Sequence, residues 1–152
     1  MSPNWCHDEL DITGPKDQIA LFKEIMSEYN KYTPLEDDQH TLHFAISAFY
    51  PQPFNIGENW YEWRCTNWGC KWDVSDSNLI DEGGAYLKYD FDTPWGPPLA
   101  AIAMISTQFS KLLFTVRYTE PGMNFGGTFV VQDGHVSLNE EHTLAIEERE
   151  GV

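Results

Sequence analysis

The sequence predicts a single α+β domain in which a mainly antiparallel sheet carries two helices on one face, in a split βαβ arrangement. The first observation behind this prediction is the order of the periodic segments, which runs strand, helix, strand, insertion, strand, helix, strand, strand. The second is size, because 152 residues, of which 41% are apolar, suit one domain with one core. No internal repeat or low-complexity tract divides the chain.

The first half of the chain contains two predicted strands and one helix. Polar and apolar residues alternate over Asn4–Thr13, which predicts a strand. A helix is expected over Pro15–Tyr29, because apolar residues recur there at helical spacing and proline is tolerated in a first helical turn. Alternation returns over Thr41–Phe49 and predicts the second strand, which Pro51 ends.

The second half repeats the pattern. Alternation over Ala85–Thr93 predicts a strand, and apolar spacing over Pro97–Phe109 predicts the second helix. Two further strands are expected over Lys111–Glu120 and Phe125–Gln132. The Asp133-Gly134 pair that follows is typical of a tight hairpin turn.

The chain ends and the cysteines indicate the extent of the domain and the cellular compartment to expect. We assign residues 1–138 to the domain and residues 139–152 to an acidic C-terminal tail, helical or frayed. No apolar run is long enough to span a bilayer, and the N-terminus lacks the pattern of a signal peptide. Three cysteines, an odd number, do not form a disulfide framework, so we expect a cytoplasmic protein.

The net charge of −15 indicates which kinds of partner the protein favours. Such a field repels nucleic acid, whose capture requires Lys and Arg, and it speeds association with basic surfaces. The acidic run Glu36, Asp37 and Asp38 is the candidate contact for a basic partner. The simpler alternative, that the charge serves solubility alone, carries equal weight.

A tryptophan-rich insertion is the most distinctive feature of the sequence. Trp60, Trp63 and Arg64 recur at helical spacing and predict a short helix that ends at Gly69. The favoured interpretation is a second small core, with Trp68 and Trp72 largely buried. Tryptophan is also enriched at protein interfaces and stacks on nucleic-acid bases, and the latter role requires exposed aromatic rings beside Arg64 or Lys71. The candidate partner-binding residues of the insertion are Trp60, Trp63, Arg64 and Lys71.

No combination of residues in the sequence forms a recognisable active site. Cys6 and His7 are neighbours that a strand would point to opposite faces, so they do not favour a cysteine nucleophile with its base. Cys65 and Cys70 have loose spacing for a zinc site. Asp90 and Asp92 share one strand face, but paired acids are expected by chance in so acidic a chain. We therefore expect no catalytic residues, no metal and no cofactor.

Several motifs resemble a known family. They recur in order over nearly the whole chain: Pro3-Asn4-Trp5-Cys6, Gly14-Pro15, Asn67-Trp68-Gly69-Cys70-Lys71-Trp72-Asp73, Phe91-Asp92-Thr93-Pro94-Trp95-Gly96-Pro97-Pro98 and Tyr118-Thr119-Glu120-Pro121-Gly122. The pattern is similar to the YubB-like family of phage and plasmid proteins, whose function is uncharacterised. The resemblance implies a ferredoxin-like domain and a mobile-element origin, and it implies no reaction and no iron–sulfur cluster.

These observations favour a non-enzymatic phage or plasmid accessory protein that acts in the bacterial cytoplasm. Its expected partner is the basic surface of a host protein, as in a counter-defence inhibitor of the anti-CRISPR or DNA-mimic type. The alternative is a nucleic-acid accessory module that uses the sheet and the tryptophan-rich insertion. The oligomeric state stays open.

Overall fold

The computed structural model describes residues 2–33 and 42–145. Six strands and three helices follow one another in the order β1 (Trp5–Thr13), α1 (Lys16–Tyr32), α2 (Trp60–Asn67), β2 (Ser75–Gly83), β3 (Tyr86–Pro94), α3 (Leu99–Gln108), β4 (Leu113–Glu120), β5 (Phe125–Gln132) and β6 (His135–Thr143). Two short 3₁₀ turns, Ile46–Ala48 and Gly57–Asn59, precede α2.

The strands form one sheet in the order β2-β3-β1-β4-β5-β6, and every pair of neighbours is antiparallel. β3 lies between β1 and β2, and β1 lies between β3 and β4. The units β1–α1–β2 and β3–α3–β4 are therefore interleaved, which is the predicted split βαβ arrangement. The β5–β6 hairpin extends the sheet beyond β4.

One core lies between the sheet and the two long helices. Alternate residues of β1, β3 and β4 are buried on the same side as the apolar stripe of α1 and the buried residues of α3. Phe22 of α1 lies at its centre, with ring centroids 4.2 Å from Phe49, 5.3 Å from Phe109 and 6.2 Å from Phe114. Helices α1 and α3 therefore cover the same face, as expected.

The predicted second strand, Thr41–Phe49, is wrong. Thr41 lies outside the described residues, and the rest is irregular chain with a 3₁₀ turn. Side chains satisfy its backbone here: Ile46 N–H donates to Asp73 Oδ1 at 2.8 Å, and Phe44 N–H donates to Ser77 Oγ at 3.3 Å. Phe44, Ala45 and Ile46 are buried in succession, so the apolar residues fill a pocket of the core instead of alternating across a strand.

The second strand of the fold is instead β2, which lies after the aromatic insertion. Its sequence is mostly polar, and two register shifts against β3 interrupt its pairing, so hydrophobic alternation does not reveal it. The insertion consequently lies between α1 and β2, not after the second strand as predicted.

The chain after β5 continues as a strand. Asp133 and Gly134 both have positive φ, 48° and 74°, as a two-residue hairpin turn requires, so the predicted turn is confirmed. β6 then pairs with β5 as far as Thr143, so the boundary placed at residue 138 falls inside a strand. Residues 139–143 of the predicted tail belong to the sheet, and residues 146–152 lie outside the described part.

Candidate functional site

The aromatic insertion packs its inner residues onto the domain. Trp68 is 2% exposed, and its indole N–H donates to the Tyr50 carbonyl at 2.9 Å. Trp63 is half-buried between Trp68 and Tyr50, at ring-centroid distances of 5.7 and 5.4 Å. Gly69 follows α2 with φ +84°, a conformation that glycine adopts readily, as expected for a helix C-terminus. This part of the insertion is the predicted small core.

Arg64 belongs to the same packing. Its Nε donates to Gln52 Oε1 at 2.6 Å, and its guanidinium lies 4.9 Å from the Trp60 ring and 5.3 Å from the Trp68 ring. Trp60 and Arg64 are both half-buried. These contacts give Trp60, Trp63 and Arg64 a structural role, so only their outer edges are open to a partner.

An exposed aromatic patch lies at the outer side of the insertion. We define it as Tyr61 and Trp72 of the insertion, Trp5 of β1 and Trp95, which follows β3. Trp72 is only half-buried, against the expectation of burial, and contacts Trp5 and Trp95 at centroid distances of 6.3 and 5.8 Å. The three other rings are 40 to 53% exposed. Large aromatic rings held at this exposure are typical of interface residues.

Lys71 lies in the middle of the aromatic patch. Its ammonium is 5.3 Å from the Trp72 centroid, 5.6 Å from Trp95 and 5.7 Å from Tyr61. Cation–π attraction at these distances stabilises both the lysine and the ring positions. The patch therefore has one positive charge on a strongly acidic molecule.

Trp95 has a strained backbone. Its φ is +64°, a value that bulky residues rarely adopt, and its N–H donates to the Asn4 carbonyl at 2.8 Å. The ring is nevertheless 43% exposed, so burial recovers only part of the strain. Backbone strain that is not required for packing of the core is often found at functional sites.

The face of the sheet away from the helices, here called the open face, is acidic. Along β1, β3 and β4 the open-face positions alternate with buried ones. Glu9 and Asp90 are direct partners in the β1–β3 register, and like charges in such positions repel. The charged residues of these three strands on the open face are Glu9, Asp11, Asp90 and Asp92, against Lys88 and Arg117.

Most open-face carboxylates have partners. Asp11 Oδ2 accepts from Arg117 at 2.7 Å, Asp92 Oδ1 is 3.0 Å from His7 Nδ1, and Asp90 Oδ1 accepts from Asn78 at 3.0 Å. Within the described residues, the Glu9 carboxylate has no hydrogen bond or ion pair. Trp5 begins the same row as His7 and Glu9, so the aromatic patch adjoins the open face.

A groove of about 300 Å³ crosses the open face from β1 to β6. Its side-chain walls are His7, Glu9, Arg117, Thr119, Thr128 and His142. Tyr118 and Gly127 also line the groove, and its one carboxylate, Glu9, lies directly across from Arg117 in the β1–β4 register.

A buried acid lies under the aromatic end of the sheet. Asp8 is fully buried, and its Oδ2 is 2.6 Å from Thr93 Oγ1, which is also 2.6 Å from the Gly96 carbonyl. The Thr93 hydroxyl has one proton, and the Gly96 carbonyl can only accept it. If Thr93 donates to that carbonyl, its contact with Asp8 is a hydrogen bond only when Asp8 is protonated and donates to Thr93. Burial raises the pKa of Asp8 well above its ordinary value of 3.8, which favours that protonated form.

The cysteines differ in exposure. Cys6 and Cys70 are buried, while Cys65 is exposed. Burial, with nearby carboxylates, raises the pKa of both buried thiols far above the physiological range, so they remain protonated. The expectation of no metal and no catalytic cysteine stays a prediction.

Residues 67–151 match a family model described as a ferredoxin-like domain in Api92-like protein. The chain belongs to the Api92-like family. It is 32% identical over 88 residues to the uncharacterized protein YubB of Escherichia coli K12, a match that covers 57% of this chain and 60% of YubB. The crystal structure of api92 from Yersinia pseudotuberculosis gives a TM-score of 0.69 over 95% of this chain and 99% of that one. At 11% identity, that likeness shows the fold alone.

These matches confirm the expected similarity to YubB and the ferredoxin-like fold of this Api92-like domain. Of the predicted contact residues, Trp60, Trp63, Arg64 and Lys71 come together around α2, whereas Glu36, Asp37 and Asp38 lie outside the described residues. The sequence prediction did not include Trp5 and Trp95 among the candidate partner-binding residues, because ninety positions separate them along the chain. Their proline- and glycine-flanked tryptophan motifs were the available indication.

Proposed function

We propose that this Api92-like protein is a non-enzymatic accessory protein of a phage or plasmid that binds a basic surface of a host protein in the bacterial cytoplasm. The interference version is an inhibitor of the anti-CRISPR or DNA-mimic type, whose carboxylates occupy a basic nucleic-acid groove. No helix among the described residues is long and apolar enough to cross a membrane.

The observation that carries the proposal is the acidic open face. Glu9 and Asp11 on β1 and Asp90 and Asp92 on β3 form two adjacent rows of carboxylates. Along each strand the carboxylates repeat about every 6.8 Å. Across the strands only Glu9 and Asp90 are direct partners, about 5 Å apart, whereas Asp11 lies opposite Lys88 and Asp92 lies opposite His7. A face of this sign steers basic partners into contact and repels nucleic acid.

The aromatic patch supports a protein partner. It adjoins the acidic open face through Trp5, so a bound protein would meet aromatic rings at one end and carboxylates along the rest. Tryptophan and tyrosine provide large contact areas with few rotatable bonds, and they dominate binding energy where they are desolvated. Charge would then set the association rate, and the rings would slow dissociation.

A pull-down from host lysate tests the proposal. Wild-type protein should capture a protein with a basic surface at about 50 mM salt and much less of it at about 300 mM salt, because salt screens surface charges. The double variant Glu9→Gln, Asp90→Asn should lose the captured protein. The control Glu24→Gln, Asp133→Asn removes the same charge from exposed positions outside the open face and should retain it. Equal capture by both double variants would contradict the proposed surface.

The acidic loop is tested separately. Reversal of Glu36, Asp37 and Asp38 to lysine should lower the association rate with the captured protein if the loop contacts it, while the melting temperature barely changes. An unchanged association rate would remove this loop from the interface.

A second candidate function is a nucleic-acid accessory module, favoured by one observation. Lys71 lies among exposed aromatic rings, which is the arrangement that base stacking beside a phosphate contact requires. Micromolar binding of a single-stranded oligonucleotide at about 150 mM salt, lost in Trp95→Ala and Lys71→Gln, would favour this function over the first. Absence of such binding would leave the protein-binding proposal in place.

A further inference from the structure

A fully buried glutamate at the end of β4 has an unpartnered oxygen. Glu120 is 0% exposed, and its Oε2 accepts the Met123 N–H at 2.5 Å, so the carboxylate is directed at the turn of residues 121–124 that joins β4 to β5. Among the described residues, its Oε1 has no hydrogen-bond partner and the carboxylate has no ion pair. A buried carboxylate in this state is costly unless something compensates it.

A second buried oxygen in the same turn is also unpartnered. Asn124 follows Met123 directly, and its Oδ1 is buried with no hydrogen-bond partner in the part of the chain that the structure describes. The backbone closes the turn, because the Asn124 N–H donates to the Pro121 carbonyl at 3.3 Å. Two oxygens of one short turn therefore face no donor, which indicates a bound ion or water.

The turn borders a cavity of about 430 Å³ that provides access from solvent. Its wall includes Asn124, Glu141 and His142, and Glu141 is exposed. The cavity therefore adds a second carboxylate beside the turn, and no Lys or Arg lines it. Arg117 of β4 lies on the open face, the other side of the sheet, and pairs there with Asp11.

The occupant has to supply positive charge as well as satisfy the two oxygens. A water molecule donates hydrogen bonds to both, but it leaves the carboxylate charge of Glu120 uncompensated. A cation does both at once. The Cys6 thiol nearby does not favour a soft metal, because burial, followed by the acids Asp8 and Glu120, raises its pKa and keeps it protonated.

We propose that the turn of residues 121–124 is a calcium site, in which the Glu120 carboxylate and the Asn124 amide oxygen are the protein ligands and water completes the coordination. Carboxylate and amide oxygens are the ligands that hard cations prefer, and Ca²⁺ accepts irregular sets of them, whereas Mg²⁺ demands a near-ideal octahedron. The sequence-based expectation of no metal rests on the cysteines and on paired acids, none of which belongs to this site. The site also goes beyond the proposed function, because its ligands are not on the open face.

A titration of the whole protein tests the site. Protein labelled with ¹⁵N and freed of metal by a chelator receives calcium chloride in about 150 mM potassium chloride, which screens non-specific attraction to the acidic surface. Amides of residues 120–125 should shift and saturate with a dissociation constant of about 0.1–1 mM, in the range of weak calcium sites. Magnesium chloride, titrated in parallel, should bind at least threefold more weakly.

Two variants and a control identify the ligands. Glu120→Gln should weaken calcium binding at least tenfold, and calcium should no longer raise its melting temperature as it does that of wild type. Asn124→Gly suits the φ of +64° at this position and removes the amide, so it should weaken binding at least threefold. Asp133→Asn removes the same charge from an exposed turn and should bind as wild type does.

Three results would overturn the calcium site: no saturable shift at residues 120–125, wild-type affinity in either ligand variant, or equal affinity for magnesium. The first result would mean that a rotated Asn124 amide or a proton on Glu120 satisfies the buried oxygens without a ligand. If Glu120→Gln does not fold, Asn124→Gly and the comparison with magnesium decide the question.

Discussion

Asp8 is the residue whose protonation state matters most to the fold. It is fully buried beside Thr93 and Cys6, and its pKa is raised mainly by burial. Cys6 Sγ lies 3.7 Å from Oδ1, so both carboxyl oxygens have a polar neighbour. The hydrogen bonds around Thr93 require a donor, which the protonated acid provides and a carboxylate does not.

Asp8→Asn should therefore be tolerated and should change the pH dependence of stability. The unfolded chain loses the Asp8 proton above about pH 3.8, whereas the native protein keeps it to higher pH, so the wild-type free energy of unfolding falls as pH rises through that interval. One proton contributes at most about 1.4 kcal/mol per pH unit. In urea unfolding between pH 4.5 and 7.5, the difference between wild type and Asp8→Asn should shrink or change sign as pH rises.

The matched control for Asp8→Asn is Asp133→Asn in the exposed β5–β6 turn, which should give a difference with no such slope. If the stability lost in Asp8→Asn instead grew with pH, the native protein would hold Asp8 as a carboxylate. The protonated hydrogen-bond arrangement around Thr93 would then be rejected.

Truncation of Trp68 should destabilise the protein strongly, whereas truncation of Trp95 should change its stability little. Trp68→Ala removes a buried ring and its hydrogen bond to Tyr50, and should cost about 3–5 kcal/mol. Trp95→Gly removes a half-exposed ring but relieves about 1–2 kcal/mol of left-handed backbone strain, so the free energy of unfolding should change by less than about 1 kcal/mol. Denaturant unfolding measures both. A large loss in Trp95→Gly would show that this tryptophan serves the core instead of a partner.

At the scale of strands, repulsion between carboxylates on the open face lowers the stability of the sheet. Asp90 lies opposite Glu9 in the β1–β3 register and on the same face as Asp92. Asp90→Asn should raise the free energy of unfolding by about 0.2–1 kcal/mol at low salt, because it removes this repulsion and keeps the acceptor for Asn78. Asp133→Asn, which has no acid across from it, should have a smaller effect. A destabilised Asp90→Asn variant would mean that the carboxylates do not repel appreciably.

Sequence patterns predicted the elements whose side chains alternate or recur regularly. β1, β3, β4 and β5 were found because one face of each is buried by α1 and α3. β2 was missed because it is polar and bulged, and its pairing comes from its position at the sheet edge. Residues 42–49 have the alternating sequence of a strand but do not form one. Their backbone N–H groups donate to the side chains of Asp73 and Ser77 instead of to a neighbouring strand.

The candidate site was predicted only in part, for a related physical reason. The residues around α2 are close in sequence, so local spacing grouped Trp60, Trp63 and Arg64. The aromatic patch joins the start of β1, the end of β3 and the insertion, and the open face depends on the β1–β3 register. Such long-range pairings follow from the sheet order, which a single sequence does not specify.

At the scale of the whole molecule, self-repulsion should dominate the salt dependence of stability. The net charge is −15, and the exposed ion pairs, such as Lys23 with Glu82, contribute little. Added salt screens repulsion among the acids, so the melting temperature at pH 7 should rise by several degrees between about 10 and 300 mM sodium chloride.

The same salt range should weaken capture of a basic partner, so stability and binding should move in opposite directions. The control is a second series near pH 4.4, the isoelectric point, where the net charge vanishes and the salt effect on the melting temperature should largely disappear. Both series can be followed by tryptophan fluorescence, because buried Trp68 reports on unfolding. A melting temperature that falls with salt at pH 7 would mean that attractive pairs such as Arg117–Asp11 outweigh the repulsion, and that the acidic face is not held at a cost in stability.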